Sequence, residues 1–397
     1  MGTSADGRAV VRLATDDLSS GPWVYGRHVA PADRAIEDGS LVEVIDESNR
    51  FLGHALYNAA SDIRLRWLSR GRKTDLDRPR EFLLKRLKDA DTLRRRVLKL
   101  PDVTNVYRIA HAEGDDLPGL IVDRMNDILV CEHHALGFWK LREDVQWALE
   151  QLYPGARVVH RIPQGAIDAE NYPRRELDQL IEAQDETIIE EHGLRYEVRP
   201  GAGHKTGWFC DQRDNRLAMA QLAQGRDVLD ICCNAGGFAL QAARHGARTV
   251  RGVDIDEVVL ERARDAAQLN QLEVDFIHSD AFPYLRSLTG ETGRPGLVIV
   301  DPHKLIGSRT AFESGLAKYL DLNALAFGVA RPGALVASFS CSGLLQESQF
   351  IGMLFQAARR AGRGLRLLGA MEAGPDHPQR PDFSRSRYLK GALLALD

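Results

Sequence analysis

From about residue 226 to the end of the chain, short apolar strands alternate with amphipathic helices, and this alternation constrains the fold more than any other feature. Val228-Leu229-Asp230-Ile231-Cys232-Cys233 reads as a strand, followed by a glycine-containing turn and a helix from Phe238 to His245. Thr249 to Asp254 is the next strand and Glu257 to about Gln271 the next helix. Asp275 to Ser279 and Leu297 to Val300 supply a third and a fourth strand, and Phe312 to Val329 a helix. Ala334 to Ser340 is a fifth strand, Glu347 to Ala361 a helix, and strand-like Leu365 to Ala370 and Tyr388 to Leu396 close the chain. Strands joined by helical crossovers pack as right-handed units, so the pattern predicts a doubly wound, mainly parallel α/β sheet with helices on both faces.

The chain is 397 residues long, too long for one ordinary domain, and the region before the alternation reads differently. Val10 to Leu13, Leu41 to Ile45 and Phe51 to Gly53 are short strands, with Asp46-Glu-Ser-Asn49 as a turn. Such spacing predicts a small β-barrel over residues 1–75. Arg80 to Leu100 has helical periodicity, with Phe82, Leu83, Leu87, Leu93 and Leu98 as apolar candidates. Leu120 to Asp123 and Ile128 to Cys131 are strand-like about an Asn126-Asp127 turn, and Leu141 to Leu152 is a helix. We therefore expect an α+β middle domain over 76–190 and the doubly wound domain, entered through a β-hairpin, over 191–397.

A formal net charge of −4 rules out binding nucleic acid through bulk charge and confines any such surface to a local patch. One stretch qualifies. Arg70 to Lys99 holds twelve basic and five acidic residues, a local charge of +7. It is suited to phosphates, or equally to a solvated helix face. Five cysteines without paired spacing argue against a disulfide framework, and the lack of a CxxC pair argues against structural zinc. The N-terminus has no apolar signal core and no apolar run is long enough to span a bilayer. A reducing cytoplasm, with no membrane partner, is the expected setting.

In an open α/β sheet, ligands bind beyond the carboxyl ends of the strands. The first strand here ends in Asp230-Ile-Cys-Cys-Asn-Ala-Gly-Gly237, where glycines let the backbone approach a ligand. The second ends in Asp254, able to accept both ribose hydroxyls; the third ends in Ser279-Asp280-Ala281, where Asp280 can accept from an adenine amine; the fourth ends in Asp301-Pro-His-Lys304. The turn is not the dinucleotide G-x-G-x-x-G, which counts against NAD. Acidic residues in register at four strand ends fit adenosine recognition by a class I, Rossmann-like S-adenosylmethionine-dependent methyltransferase.

The fifth strand ends in Ser338-Phe-Ser-Cys-Ser-Gly343. A cysteine after an apolar strand is more often packing than nucleophile, but Cys341 falls beside the strand that ends in Asp301. Carbon 5 of a pyrimidine is a poor nucleophile. A thiolate adding to carbon 6 makes it enamine-like, and the thiolate leaves once a base has removed the carbon 5 proton. Cys341 is placed for that role, with Asp301 beside it. Cys233 reads as packing under the cofactor turn, and Cys131, Cys210 and Cys232 as structural.

Four segments carry a more specific resemblance. Glu113-Gly-Asp-Asp-Leu-Pro-Gly-Leu-Ile-Val-Asp-Arg124, Lys205-Thr-Gly-Trp-Phe-Cys-Asp-Gln-Arg-Asp-Asn-Arg216, Phe339-Ser-Cys-Ser-Gly343 and Tyr388-Leu-Lys-Gly391 are similar to the middle-domain, entry, cysteine-loop and C-terminal motifs of the 23S ribosomal RNA cytosine-5 methyltransferase I family. Tyr57-Asn58 and Ile63-Arg64 fall where that family's N-terminal PUA barrel has similar residues, so the resemblance covers nearly the whole chain. It implies S-adenosylmethionine held by Gln212, Asp230, Gly236, Gly237, Asp254, Ile255, Asp280, Ala281 and Asp301, and Cys341 as nucleophile. It also implies large-subunit ribosomal RNA as partner. The basic run offers Arg94, Arg95 and Arg96 as phosphate contacts, with Lys205 in the entry motif and His303 and Lys304 where the target base should sit. A homodimer is compatible with this reading. The chain departs from the family at His303, where a second proline is usual, at the turn Cys232-Cys233-Asn234-Ala235, and at Trp208 and Cys210.

Two other functions compete. A base-nitrogen methyltransferase commonly carries Asp/Asn-Pro-Pro-aromatic, whereas Asp301-Pro-His-Lys lacks the second proline and the aromatic. A non-catalytic PUA-containing assembly factor would have no use for intact Asp254, Asp280 and Cys341.

Overall fold

The computed structural model describes residues 7–15, 21–32, 34–71, 76–177, 186–201, 206–290 and 293–397. The chain divides into a first unit of Met1–Glu190, Val198–Cys210 and Pro375–Ser386, and a second of Glu191–Glu197, Asp211–Gly374 and Arg387–Asp397.

In the first unit, β1 (Val10–Arg12), β2 (Trp23–Tyr25), β3 (Leu41–Ile45), β4 (Phe51–Tyr57) and β5 (Ile63–Ser69) form a sheet in the order β1-β3-β4-β5-β2. Asn49 takes the left-handed conformation, with φ 65°, in the expected turn between β3 and β4. Val11, Val24, Val42, Val44, Ala55, Leu65 and Trp67 fill the inner face. α1 (Pro79–Thr92) starts on a proline, whose missing N–H is an orphan in the first turn anyway. It passes into one wide turn over Leu93–Val97, closed by the Leu98 N–H on the Leu93 carbonyl at 2.9 Å. β6 (Val106–His111), β7 (Leu120–Met125), β8 (Ile128–His133) and β9 (Arg157–Arg161) make a second sheet in sequence order. α2 (Leu136–Lys140) and α3 (Arg142–Leu152) link β8 to its parallel neighbour β9, and the short α4 (Gln164–Glu170) and α5 (Arg174–Leu177) follow. Leu56 and Leu68 of the first sheet share one core with Leu83, Leu87, Ile109, Val122 and Phe138. That shared core is why the barrel and the α+β region, expected as separate domains, belong to a single unit.

Several buried charges in this unit are paired. Arg94, fully buried, makes a two-pronged bond to Asp115 at 2.6 and 2.7 Å and donates to the carbonyls of Ala90, Arg108 and Asp376. Arg108 forks onto Asp123 at 2.8 and 2.9 Å, and Thr206 donates to the same carboxylate at 2.6 Å. Asp376 accepts from the Arg108 backbone N–H at 3.1 Å, while the rings of His377 and His111 lie 4.9 Å apart. These bonds tie 198–210 and 375–386 into the first unit, although the sequence boundaries put both segments in the C-terminal domain.

The hairpin β10 (Thr187–Glu191) and β11 (Leu194–Val198) precedes the doubly wound region. Within the second unit its Glu191, fully buried, receives the Arg216 fork at 2.6 and 2.7 Å. α6 (Arg213–Gln221) then leads through β12 (Asp227–Ile231), α7 (Gly237–Arg244), β13 (Thr249–Asp254), α8 (Glu257–Leu269), β14 (Asp275–His278) and α9 (Ala281–Ser287). β15 (Leu297–Val300), α10 (Phe312–Val329), β16 (Leu335–Ser340), α11 (Glu347–Arg360), β17 (Leu365–Met371) and β18 (Lys390–Leu396) complete it. The sheet order is β14-β13-β12-β15-β16-β18-β17, parallel except for β18, which runs antiparallel to both neighbours. The expected doubly wound class I methyltransferase fold is present. Strand order reverses at β12, so the carboxyl ends of β12, β13, β14, β15 and β16 line up along one edge. Ile231, Val253, Val298, Val300, Tyr319, Phe327 and Phe350 pack in the core behind them. Among the described residues no helix is long and apolar enough to cross a membrane.

Candidate cofactor site and cysteine loop

Beyond β12 the backbone is bent hard. Cys232 and Asn234 adopt φ of 62° and 48°, a conformation non-glycine residues rarely take, and Gly236 follows at 76°. Three bonds hold the bend: the Cys233 N–H on the Val253 carbonyl at 3.0 Å, the Gly236 N–H on the Cys233 carbonyl at 2.9 Å, and the Asn234 N–H on Asp254 Oδ2 at 2.9 Å. A Cβ on Gly236 would come within 2.7 Å of the Phe276 ring, so the turn requires glycine. At Gly237 a Cβ would lie 2.8 Å from Arg216 Cδ.

The acidic strand ends stand where the sequence puts them. Asp254 closes β13 and takes one backbone N–H on each oxygen, Asn234 on Oδ2 and Asp256 on Oδ1, the latter at 3.0 Å. Each oxygen keeps a lone pair for a ribose hydroxyl. The following Ile255 is 64% exposed and offers an apolar face beside it. Asp280 caps α9 through Oδ1, which accepts from the Phe282 N–H at 2.8 Å, and Ala281 starts that helix. Asp301 follows β15 and accepts from Gln212 Nε2 at 3.0 Å. The buried Gln212 is oriented by Asn215, which donates to its Oε1 at 2.6 Å, so the amide N–H₂ faces Asp301.

Asp230 is the electrostatic outlier. It is fully buried, Oδ2 accepts from the Ala239 N–H at 3.1 Å, and Oδ1 has no hydrogen-bond partner among the described residues. Burial first, then the charges of Asp301 and Asp254, hold its carboxyl well above the usual range. An orphaned carboxyl oxygen among mutually repelling carboxylates calls for a cationic, hydrogen-bonding ligand. S-adenosylmethionine carries a sulfonium and an ammonium beside a ribose and an adenine, and these residues fit it.

The cysteines divide sharply. Cys232 and Cys233 are pushed up by burial and by surrounding carboxylates, Asp254 and Asp301 at the first and Asp230 and Asp254 at the second. Cys233 also sits against the sheet, where a Cβ on Gly252 would come 3.0 Å from its Sγ. Burial likewise raises Cys131. Cys341, half-buried, sits in a loop pinned on several sides. The Ser342 hydroxyl bonds the Tyr319 hydroxyl at 3.0 Å and accepts from the Ile306 N–H at 3.3 Å, while Lys390 Nζ donates to the Ser342 carbonyl at 2.9 Å. Sequence reasoning gave Lys390 and Tyr319 no role. The signal for Lys390 was the final strand itself, which pairs antiparallel to β16 and sets Lys390 across from Ser340.

The expected RNA contacts fare unequally. Arg94 is a correction: it is fully buried on Asp115 and has no surface for a phosphate. Leu83, Leu87 and Ala90 mark the buried face of α1, and the next turn of that face falls on Arg94. Arg95 and Arg96 are exposed, as are His303 and Lys304 after Asp301. Lys205 lies outside the described residues.

A PUA-like domain model matches residues 18–70, and an S-adenosylmethionine-dependent methyltransferase model matches residues 174–380, more than half the chain. Together with the strand-end carboxylates, these define an S-adenosylmethionine-dependent methyltransferase with an N-terminal PUA-like domain. Ribosomal RNA large subunit methyltransferase I of Aeromonas salmonicida is 33% identical over 381 residues, and that of Pseudoalteromonas atlantica 32% over 377, each match covering 94% of both chains. The chain belongs to the ribosomal RNA large subunit methyltransferase I family. Its fold is also that of SMU.776, solved as a candidate methyltransferase with S-adenosylhomocysteine, at TM-score 0.80 and 18% identity over 97% of this chain and 99% of that one. A candidate methyltransferase from Streptococcus mutans gives TM-score 0.79 at the same identity and coverage.

Proposed function

We propose that this enzyme methylates carbon 5 of a cytosine in large-subunit ribosomal RNA, with Cys341 as covalent nucleophile. The observation that carries the reading is the position of Cys341, at the carboxyl end of β16, next to the parallel strand β15 that ends in Asp301. The names of the relatives support the RNA.

S-adenosylmethionine, held by Asp230, Asp254, Asp280 and the glycine turn, supplies an electrophilic methyl group. A base inside a helix cannot reach the strand ends, so the cytosine leaves its stack first. Exposed His303 and Lys304 border its pocket, and Arg95 and Arg96 hold phosphates elsewhere on the RNA. The Cys341 thiolate adds to carbon 6, which gives carbon 5 enamine character. Once carbon 5 carries the methyl group, Asp301 or His303 takes its proton, the carbon 5–carbon 6 double bond re-forms and the thiolate departs.

Cys341→Ala should abolish methylation of the RNA while leaving cofactor and RNA affinity within about twofold, because the thiol acts only in the chemical step. Wild-type protein should form a covalent adduct with RNA containing 5-fluorocytosine, since fluorine blocks the elimination. A Cys341→Ala variant that methylates at a near-normal rate, with no adduct in the wild type, would make nitrogen methylation the better reading.

A further inference from the structure

We propose that Lys390 is a positioning residue for the reaction: its buried ammonium sits against the Cys341 loop and stabilises the thiolate. The inference rests on Cys341 being the nucleophile.

A lysine is among the side chains least often buried, because its charge must leave water. Lys390 is nonetheless only 7% exposed. Nζ donates to the Ser342 carbonyl at 2.9 Å and to the Tyr388 carbonyl at 2.8 Å. Strand pairing sets its backbone opposite Ser340, so the side chain and the backbone of Lys390 meet the residues on either side of Cys341. Two carbonyls engage two of the three N–H groups of an ammonium and neutralise none of its charge. The ionisable groups acting on Lys390 are Cys341, on the loop after β16, and Glu347, at the start of α11. From α10, Tyr319 faces the same loop through its bond to Ser342, and its proton is held more tightly by burial and by the Cys341 charge. Burial brings Lys390 down to about 8, against the upward pull of an anionic Cys341 and of Glu347. Interaction between two titrating groups is reciprocal, so a charged Lys390 favours ionised Cys341 to the same degree. Cys232 and Cys233 have carboxylates as their charged neighbours and are held as thiols. Cys341 has a cation.

Three variants of the full-length protein separate this from a purely mechanical strap on the loop. Lys390→Met removes charge and donors. Lys390→Gln keeps N–H donors for the carbonyls without charge, and Lys390→Arg keeps the charge. The rate of Cys341 alkylation by iodoacetamide, read at its peptide by mass spectrometry between pH 6 and 10, reports the thiolate without needing methyl transfer. Lys390→Met and Lys390→Gln should both shift the profile upward by about one pH unit, alkylating about tenfold more slowly at pH 7.5. Lys390→Arg should stay near wild type. In methylation assays the first two should lose kcat with little change in KM for S-adenosylmethionine. Recovery of the wild-type profile by Lys390→Gln, or no shift in Lys390→Met that is still folded by its melting transition, would overturn the proposal. If instead Cys341→Ala methylates normally, the nucleophile reading fails while the alkylation profile still reports the Lys390–Cys341 pairing.

Discussion

The first unit and the strand ends of the second treat buried charge in opposite ways. In the first, Arg94 meets Asp115, Arg108 meets Asp123, and Arg66 meets Glu170 at 2.9 Å, each pair sealed from water. At the strand ends of the second, Asp230 is buried with no cation on it and is raised by its neighbours Asp301 and Asp254. Paired burial is a structural solution, since each charge offsets the desolvation of the other. Unpaired burial is unfavourable in the empty protein and is tolerated where a ligand completes it. The difference separates residues that hold the molecule together from residues that await a substrate, although both sets look alike in the sequence.

The largest expected effect tests the paired half. Asp115→Asn leaves the Arg94 guanidinium buried without its anion, and breaking such a pair costs about 3–5 kcal/mol. Urea denaturation should show that loss, and S-adenosylmethionine affinity of the protein that remains folded should be unchanged. Replacing both partners, Arg94→Met with Asp115→Leu, should recover most of the stability, because no unpaired charge is left. A loss under about 1 kcal/mol in Asp115→Asn would mean that water reaches Arg94.

The unpaired half should respond the other way. Asp254→Ala removes the acceptor for the ribose hydroxyls, and a charge-assisted hydrogen bond is worth about 1.5–3 kcal/mol, so S-adenosylmethionine should bind roughly ten- to a hundredfold more weakly by calorimetry. Stability should change little. The two backbone N–H groups freed by the substitution lie at a half-exposed strand end, and Asp230 loses a repelling neighbour. Unchanged affinity would remove Asp254 from the cofactor site, and a stability loss as large as that of Asp115→Asn would class it with the paired residues.

The same contrast explains what the sequence could and could not reveal. Four of the parallel strands announce themselves by an apolar run with an acidic residue at its end, and each helix by its period, so the expected helix from Phe312 to Val329 coincides with α10. These are local patterns, and the cofactor residues sit on them. The first unit depends on pairings far apart in sequence. Asp376 reaches the backbone of Arg108, and Thr206 reaches Asp123. No local periodicity carries such information, so the sequence boundaries and the two compact units divide residues 198–210 and 375–386 differently. Lys390 was hidden for the same reason, since its meaning comes from the antiparallel return of β18 onto β16. Arg94 is different. The spacing from Leu83 through Leu87 and Ala90 points to its burial, but a run of three arginines reads as surface when charge is weighed before period.

That run supplies the smallest and most discriminating test, because adjacent arginines stand in opposite environments. Arg95 is exposed, 3.6 Å from Asp91 and over the Tyr153 ring at 5.6 Å, and Arg96 is exposed beside it. If both hold phosphates, Arg95→Glu with Arg96→Glu should weaken binding to a large-subunit ribosomal RNA fragment. It should also make the dependence of log affinity on log salt shallower by about 1.4, the release from two single-stranded phosphates. Folding stability should stay within about 0.5 kcal/mol, as for surface substitutions generally. Arg94→Glu, one residue earlier, should instead set two carboxylates against each other in a dry site and destabilise the first unit. Fluorescence titrations over a potassium chloride series give the slope, and urea denaturation gives the stability. A slope that does not change in the double variant would make the exposed part of the run a solvated helix face and move the search for phosphate contacts elsewhere on the first unit.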